Sequence, residues 1–256
     1  MVVTATSGPV IAQLSDVHVG SRLARRGSTP IAELRRAVEA VAALDVPADL
    51  VLVTGDLVDH GLEDEYDELL DVLGALVPPF VLVAGNHDDP AALARVVERR
   101  VPDGAPLRRV VDLGALRVLL LDSSVPGWEA GRVGPAQCAW LDGELAADAR
   151  PAIVAVHHPP VAVGHAGLDG MRLVDAEALG AVIARHRHVE RIVCGHVHRA
   201  ITARWRGTVV TTAPSAIRQF APTFRPEPTF AATAEAPAFL VHVWVDGALA
   251  SHVVEI

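Results

Sequence analysis

The hydrophobic positions fall into short β-branched runs, separated by longer stretches in which apolar residues recur every three or four positions. The runs Pro9–Leu14, Leu50–Thr54, Phe80–Ala84, Arg117–Leu121, Ala152–Val156 and Arg191–Cys194 are largely apolar. Continuous runs of this length fit strands buried on both faces, as in a parallel sheet layered with helices. Between them Ile31, Leu34, Val38 and Val41 keep helical spacing behind Pro30, whose fixed φ and missing N–H suit a first helical position. Tyr66, Leu69, Leu70 and Leu73 mark a second helix, and Leu173–His186 a third. The pattern predicts an α/β fold.

After residue 200 the rhythm changes, and Val209–Thr212, Phe239–Val245 and Ala248–Val254 read as strands with no helices between them. The segment from Ala213 to Pro237 holds five prolines and three of the five phenylalanines, Phe220, Phe224 and Phe230. It reads as an irregular loop at about 213–237, with aromatics that pack over a site or a partner subunit. Neither an internal repeat nor a dividing linker is visible, so residues 1–256 are expected to form one domain.

Composition narrows the function classes. A chain of 256 residues can bury a sizeable core. No apolar run approaches the roughly 18 residues that cross a bilayer, and Met1–Val10 lacks the pattern of a signal peptide. A soluble, cytoplasmic protein is expected. Cys138 and Cys194 are too few for a disulfide framework, and Cys194, closing a core strand, reads as a small buried apolar residue. The formal charge of −9, from 22 basic and 31 acidic residues, argues against a grip on a nucleic-acid backbone. All the basic residues are arginine, which excludes every chemistry that needs a lysine.

Five of the predicted strands end in polar bursts that a core strand does not need. They are Leu14-Ser15-Asp16-Val17-His18, Thr54-Gly55-Asp56, Gly85-Asn86-His87-Asp88, His157-His158-Pro159-Pro160 and Gly195-His196-Val197-His198. Ligand sites of parallel sheets form beyond the carboxyl ends of the strands, so these bursts should meet at one edge. Carboxylate, amide and imidazole donors without thiolates suit zinc, manganese or iron better than calcium or magnesium. There are too many donors for one tetrahedral ion, and a carboxylate shared by two ions about 3.5–4 Å apart would use them all.

The motifs Asp-x-His, Gly-Asp, Gly-Asn-His-Asp, His-x-Pro and Gly-His-x-His, in that order, resemble those of the calcineurin-like metallophosphoesterases. Gly85-Asn86-His87-Asp88-Asp89, Leu121-Asp122-Ser123 and His157-His158-Pro159-Pro160 resemble in particular the class III cyclic nucleotide phosphodiesterases and their glycerophosphodiesterase relatives. The resemblance implies a four-layer αββα sandwich: two packed mixed β-sheets flanked by helices. It implies one metal on Asp16, His18, Asp56 and His198, and a second on Asp56, Asn86, His157 and His196, with Asp56 as the bridge. His87 would contact the phosphate and assist the leaving group, Asp88 would orient a neighbouring histidine, and His158 would stand behind the ligands. A hydroxide bridging the two cations would attack a small phosphodiester, a 3′,5′-cyclic nucleotide first and a glycerophosphodiester second. A phosphomonoesterase is the next reading, a homodimer is implied, and a metal-free scaffold would predict eroded ligands, none of which is missing.

Outside these motifs, His60, His186, His188, His242 and His252 read as ordinary surface or core residues, and His165 as one that can lie near the site. The arginine pairs Arg35-Arg36, Arg99-Arg100 and Arg108-Arg109 read as solvated faces. Arg22, Arg25 and Arg26 start beside the site and are the better candidates for a phosphate clamp, and Trp128 reads as core packing, with a base or glycerol pocket as the alternative. Substrate choice is expected in the loops Ser21–Thr29, Val125–Val133, Val161–Gly170 and Ala213–Pro237.

Overall fold

The computed structural model describes residues 8–24, 27–101, 109–226 and 230–256. Arg25, Arg26 and Arg108 lie outside the described residues. The chain runs β1 (Val10–Leu14), α1 (Pro30–Ala42), β2 (Leu50–Thr54), α2 (Glu63–Leu73), β3 (Phe80–Val83), α3 (Pro90–Arg100), β4 (Arg109–Asp112) and β5 (Arg117–Leu120). It continues through α4 (Gly134–Ala147), β6 (Ala152–Ala155), α5 (Ala166–Gly170), α6 (Ala176–Ile183), β7 (Val189–Cys194), β8 (Ile201–Trp205), β9 (Thr208–Thr212), β10 (Ala238–Val245) and β11 (Ala248–Glu255).

Two mixed sheets result. The first has the order β11-β10-β1-β2-β3, with β1, β2 and β3 parallel; the second is β4-β5-β6-β7-β9-β8, with β5, β6, β7 and β9 parallel. Alternate residues of each strand enter different cores. Ile11, Leu50, Leu52 and Val83 meet Val118, Leu120, Ile153 and Val193 between the sheets. Ala12, Leu14, Val51 and Val53 face Leu34, Tyr66, Leu69 and Leu93 of the first helical layer. Val154, Ile192 and Cys194 face Leu141, Leu145, Leu179 and Ile183 of the second. This is the expected αββα sandwich, and burial on both faces explains why the central strands read as unbroken apolar runs.

The structure corrects several boundaries. Pro9 has no N–H for the ladder, and β1 starts at Val10. The helix expected over Leu173–His186 covers only Ala176–Ile183, because the Asp175 carboxylate accepts N–H groups from Val133 and Gly134 and fixes the preceding loop. Three helices and two strands carry too weak a stripe to be read from the pattern. Helix α3 follows an Asp89 cap that accepts from Ala91 and Ala92, and α4 buries only Cys138, Leu141 and Leu145. Helix α5 has five residues, and β4 and β8 are half-exposed edge strands. The pairs Arg206-Gly207 and Asp246-Gly247, all with positive φ, close the two-residue hairpins at the far end of the chain.

A polar thread runs through the first sheet toward the second. His242 of β10, fully buried, contacts Ser251 Oγ at 2.7 Å and Gln13 Oε1 at 2.9 Å. Gln13 Nε2 donates to Thr54 Oγ1 at 2.9 Å and to the Cys194 carbonyl at 3.0 Å, tying β1 to β2 and to β7 of the other sheet. Burial, with a smaller push from Arg191, drives the imidazole of His242 down to about 3, so it folds neutral. Unfolding restores an ordinary histidine, which binds a proton below about pH 6.5. The unfolded state therefore holds more protons between those values, and stability falls as pH drops through that window. Between pH 7.5 and 5 this one group should remove about 2 kcal/mol. Urea unfolding of wild type and His242→Gln at both pH values checks this: the variant should lose about 2 kcal/mol less on acidification, whereas parallel losses would refute it.

Candidate metal centre

All five bursts emerge at the carboxyl ends of parallel strands, three from the first sheet and two from the second, and meet across the top of the sandwich. Five of the seven residues read as ligands, Asp16, His18, Asp56, His196 and His198, hold φ between 41° and 71°. Left-handed backbone at a residue with a Cβ is strained and persists only when its surroundings enforce it. Here the chain after β1, β2 and β7 must turn at once to aim its donors inward rather than continue along the sheet. Gly85 approaches both donor sets closely, since a Cβ there would lie 2.2 Å from Asp56 Oδ1 and 2.8 Å from His157 Nε2.

The imidazoles are aimed by acceptors behind them. His157 Nδ1 donates to the Thr54 carbonyl at 2.7 Å, and His198 Nδ1 to the Arg218 carbonyl at 2.9 Å. His18 Nδ1 meets Asp59 Oδ1 at 3.1 Å. Each ring thus presents Nε2 to the interior, the arrangement that orients histidine ligands. Donors from Asp16, His18, Asp56 and His198 lie within 4.8 Å of one another. His18 and His198 bring their Nε2 atoms to 3.2 Å. Asp56 faces both ways, with Oδ2 3.5 Å from His18 Nε2 and Oδ1 3.3 Å from His157 Nε2. On the second side His196 Nδ1 is 3.0 Å from Asn86 Oδ1, while Asn86 Nδ2 donates to Glu129 and so turns its oxygen inward. The structure brings all seven together.

Whether these residues suit cations is answered by their unmet needs. Asp16 Oδ2, His157 Nε2 and His196 Nε2 are buried without a hydrogen-bond partner. Native interiors leave few polar atoms so, and three around one cluster of carboxylate and imidazole fit a pair of metal ions. The electrostatics agree. Burial lifts Asp16 to about 6, and burial followed by neighbouring imidazoles pushes His196 and His198 down to about 3. Burial also opposes a charged His157, but the Asp56 carboxylate, joined by Asp16 and the Thr54 carbonyl, outweighs it and holds this imidazole up at about 9. Asp56, lifted by burial, is pulled well below the usual carboxylate range by His157 and His18. The donors bury charges that only partly balance one another.

His158 also lies near His157 and His196, but both its nitrogens are committed, Nδ1 to Ser123 Oγ at 2.8 Å and Nε2 to the Glu129 carbonyl at 3.2 Å. It supports the site from behind, as expected. Asp88 does not. Its carboxylate touches no histidine but accepts N–H groups from Gly85, Leu57 and Val58 and the hydroxyl of Tyr66, binding the second and third motif loops together. The carboxylate that does meet histidines is Asp59, 3.1 Å from His18 Nδ1 and 3.5 Å from His87 Nδ1. Burial raises its carboxyl, but His18 and then His87 hold it below the ordinary value. Sequence reading passed over Asp59, although it stands three residues after Asp56 on the same turn. It also missed Ser215, whose hydroxyl donates to the Asp16 carbonyl at 2.8 Å.

Above the donors lies a cavity of about 240 Å³, lined on its open side by Leu23, Glu129, Leu168, Met171, Phe220 and Phe230. Each loop expected to choose the substrate supplies a lining residue or, for the third, also the neighbouring Met171. His87 lines the floor, with Nδ1 3.2 Å from the Asp59 carbonyl. Arg22 is exposed and does not line the cavity. The pairs on α1 and α3 bond acidic helix residues: Arg36 with Glu33, and Arg99 and Arg100 with Glu63, Asp67 and Asp71. Trp128 corrects its expectation, for it is 44% exposed, with Arg132 5.6 Å from its ring instead of a core around it.

The calcineurin-like phosphoesterase family model matches residues 9–200. A probable glycerophosphodiester phosphodiesterase of Arcobacter nitrofigilis is 29% identical over 243 residues, covering 93% of this chain and 89% of that protein. A probable cyclic nucleotide phosphodiesterase of a Synechococcus strain is 34% identical over 215 residues, covering 82% of this chain and 81% of its own length. A dimetal phosphatase from Danio rerio shares the fold, with a TM-score of 0.69 at 16% identity over 96% of this chain and 98% of that one.

The approach at Gly85 yields a test. Gly85→Ala should lower the manganese retained after dialysis by at least about half, because the methyl displaces Asp56 and His157 together, while far-UV circular dichroism stays unchanged. A full metal complement in this variant would show that the close approach is not needed. Gly143→Ala, whose added methyl meets nothing within 4 Å, is the control.

Proposed function

We propose, since this chain belongs to the calcineurin-like phosphoesterase family, that it hydrolyses small phosphodiesters, 3′,5′-cyclic nucleotides foremost, with the donors of the top edge holding two metal ions. The chain is a metal-dependent phosphoric diester hydrolase. The observation that carries the reading is Asp56, each of whose oxygens faces a histidine of a different donor set. Asp16, His18, Asp56 and His198 would hold one ion, and Asp56, Asn86, His157 and His196 the other. Iron, manganese and zinc are the candidates by donor type. Bound there, the cations would supply Lewis acidity to the phosphate oxygens and activate water as the nucleophile.

The chain's own residues do the rest. His87 commits Nδ1 to the Asp59 carbonyl, which leaves Nε2 for the cavity. Charged, it donates a proton to the departing alkoxide; neutral, it holds a hydrogen-bonding position beside the phosphate. The Asp59 carboxylate, kept ionised by His18 and His87, stands 3.5 Å from His87 Nδ1 and helps to fix the orientation of the ring. Most of the floor donors are buried, and a cavity of about 240 Å³ suits a compact diester rather than a polymer. The glycerophosphodiester reading shares the same floor and differs only at the wall. No helix among the described residues is long and apolar enough to cross a membrane. A homodimer is the proposed assembly.

Chelator-stripped protein should be inactive and should recover with manganese, cleaving bis(p-nitrophenyl) phosphate in preference to p-nitrophenyl phosphate. Preference for the monoester would move the function to a phosphatase. His87→Ala should keep both metals and lose roughly 10²–10⁴ in kcat, whereas Asp56→Ala should lose the metals. Equal metal loss in the two variants would remove His87 from its role.

A further inference from the structure

The cavity has two unlike halves. Its floor carries the donors that meet a phosphate, and its wall carries Leu23, Leu168, Met171, Phe220 and Phe230, which can meet only what is esterified to that phosphate. The two phenylalanines come from the proline-rich segment after β9. Its arms are pinned by the Ala221 N–H on the Ala231 carbonyl at 2.6 Å, and by the Thr233 N–H on the Gln219 carbonyl at 3.0 Å. Arg199 donates to the Phe220 carbonyl and to Glu235, which fixes the base of the segment.

Phe230 is held from behind. The His165 ring lies 5.4 Å away at 30°, only 6% exposed, with Nδ1 accepting the Leu168 N–H. Gly167 passes beneath the phenyl ring so closely that a Cβ would lie 2.6 Å from Phe230 Cζ. Phe220 meets Phe230 at 5.8 Å and 63°, but lays its own face on His198 at 4.2 Å and 16°. Phe230 nevertheless remains 49% exposed at the cavity mouth. A ring backed on one side, braced at its edge and open on the other is a stacking platform. An aromatic platform of this kind strengthens the binding of a nucleobase roughly 5- to 150-fold.

We infer that Phe230, backed by His165 and braced by Phe220, receives the nucleobase of a cyclic nucleotide and is the residue by which this site tells nucleotide diesters from aliphatic ones. The inference rests on the phosphodiesterase reading above. A quaternary ammonium group, as in glycerophosphocholine, would call for several aromatic faces around the cation. Here the face of Phe220 is taken by His198 and the carboxylate of Glu129 by the Asn86 amide, so one aromatic face is left.

The test uses manganese-loaded full-length protein as wild type, Phe230→Ala and Phe230→Trp. Calorimetry gives the affinities of 5′-AMP and ribose 5-phosphate, which differ only by the base. Wild type should bind 5′-AMP about tenfold more tightly, Phe230→Ala should abolish that preference, and Phe230→Trp should restore it. In turnover, Phe230→Ala should raise KM for 3′,5′-cyclic AMP about tenfold, with a much smaller change for glycerophosphocholine. An equal loss for both ligands, no loss for 5′-AMP, or a loss confined to glycerophosphocholine would each overturn the assignment. If wild type cleaves no diester, the phosphodiesterase reading fails, and the comparison of 5′-AMP with ribose 5-phosphate still decides whether Phe230 stacks a base.

Discussion

Asp56 lies buried where the two sheets meet, with His18 against one oxygen and His157 against the other, and Asp16, His196 and His198 crowded round them. Taking two carboxylates and four imidazoles out of water is costly unless every donor atom finds a partner. The protein alone does not supply enough. His157 is held charged by Asp56, Asp16 is pushed toward its neutral form, and three donor atoms remain unpaired. The arrangement makes sense as a receptor for cations, and the rest of the top edge can be understood as the means of keeping it assembled.

Those means are mechanical. Left-handed backbone at five donors turns the chain inward after β1, β2 and β7, and Gly85 allows two loops to come nearer than any side chain would permit. Carbonyls of Thr54 and Arg218 lock ring orientation from behind. Asp88 anchors the loops by accepting backbone N–H groups, and the Gln13 thread ties the first sheet to the second beneath the donors. Strain of this kind persists only on a rigid support. The two sheets provide it, since the strands that carry the donors have both faces buried.

The floor and the wall of the cavity differ in origin. The floor comes from strand ends, which regular hydrogen bonding positions within narrow limits. The wall comes from four loops that the sandwich holds together without dictating their sequence. A common floor with an exchangeable wall explains how relatives bearing glycerophosphodiesterase and cyclic nucleotide phosphodiesterase names can share one fold with this chain.

By itself the sequence determined the layers and singled out seven polar residues that the structure brings to one edge. Burial on both faces writes central strands as apolar runs, and a polar burst directly after such a run has no structural purpose, so both signals are local. Edge strands β4 and β8, and helix α4 with its small apolar stripe, left little periodic trace because half their surface faces solvent or small side chains. The partners of the donors were illegible for a different reason. Asp59 and Asp88 stand in neighbouring motifs with similar credentials, yet only Asp59 reaches histidines, because the turn after Asp56 carries it beneath His18 while Asp88 is drawn back onto backbone N–H groups. Ser215 and Phe230 likewise owe their surroundings to segments remote in sequence. Periodicity and motif record what a residue needs from its neighbours along the chain. Which distant groups meet that need is settled only when the two sheets pack and their loops are forced to share one edge.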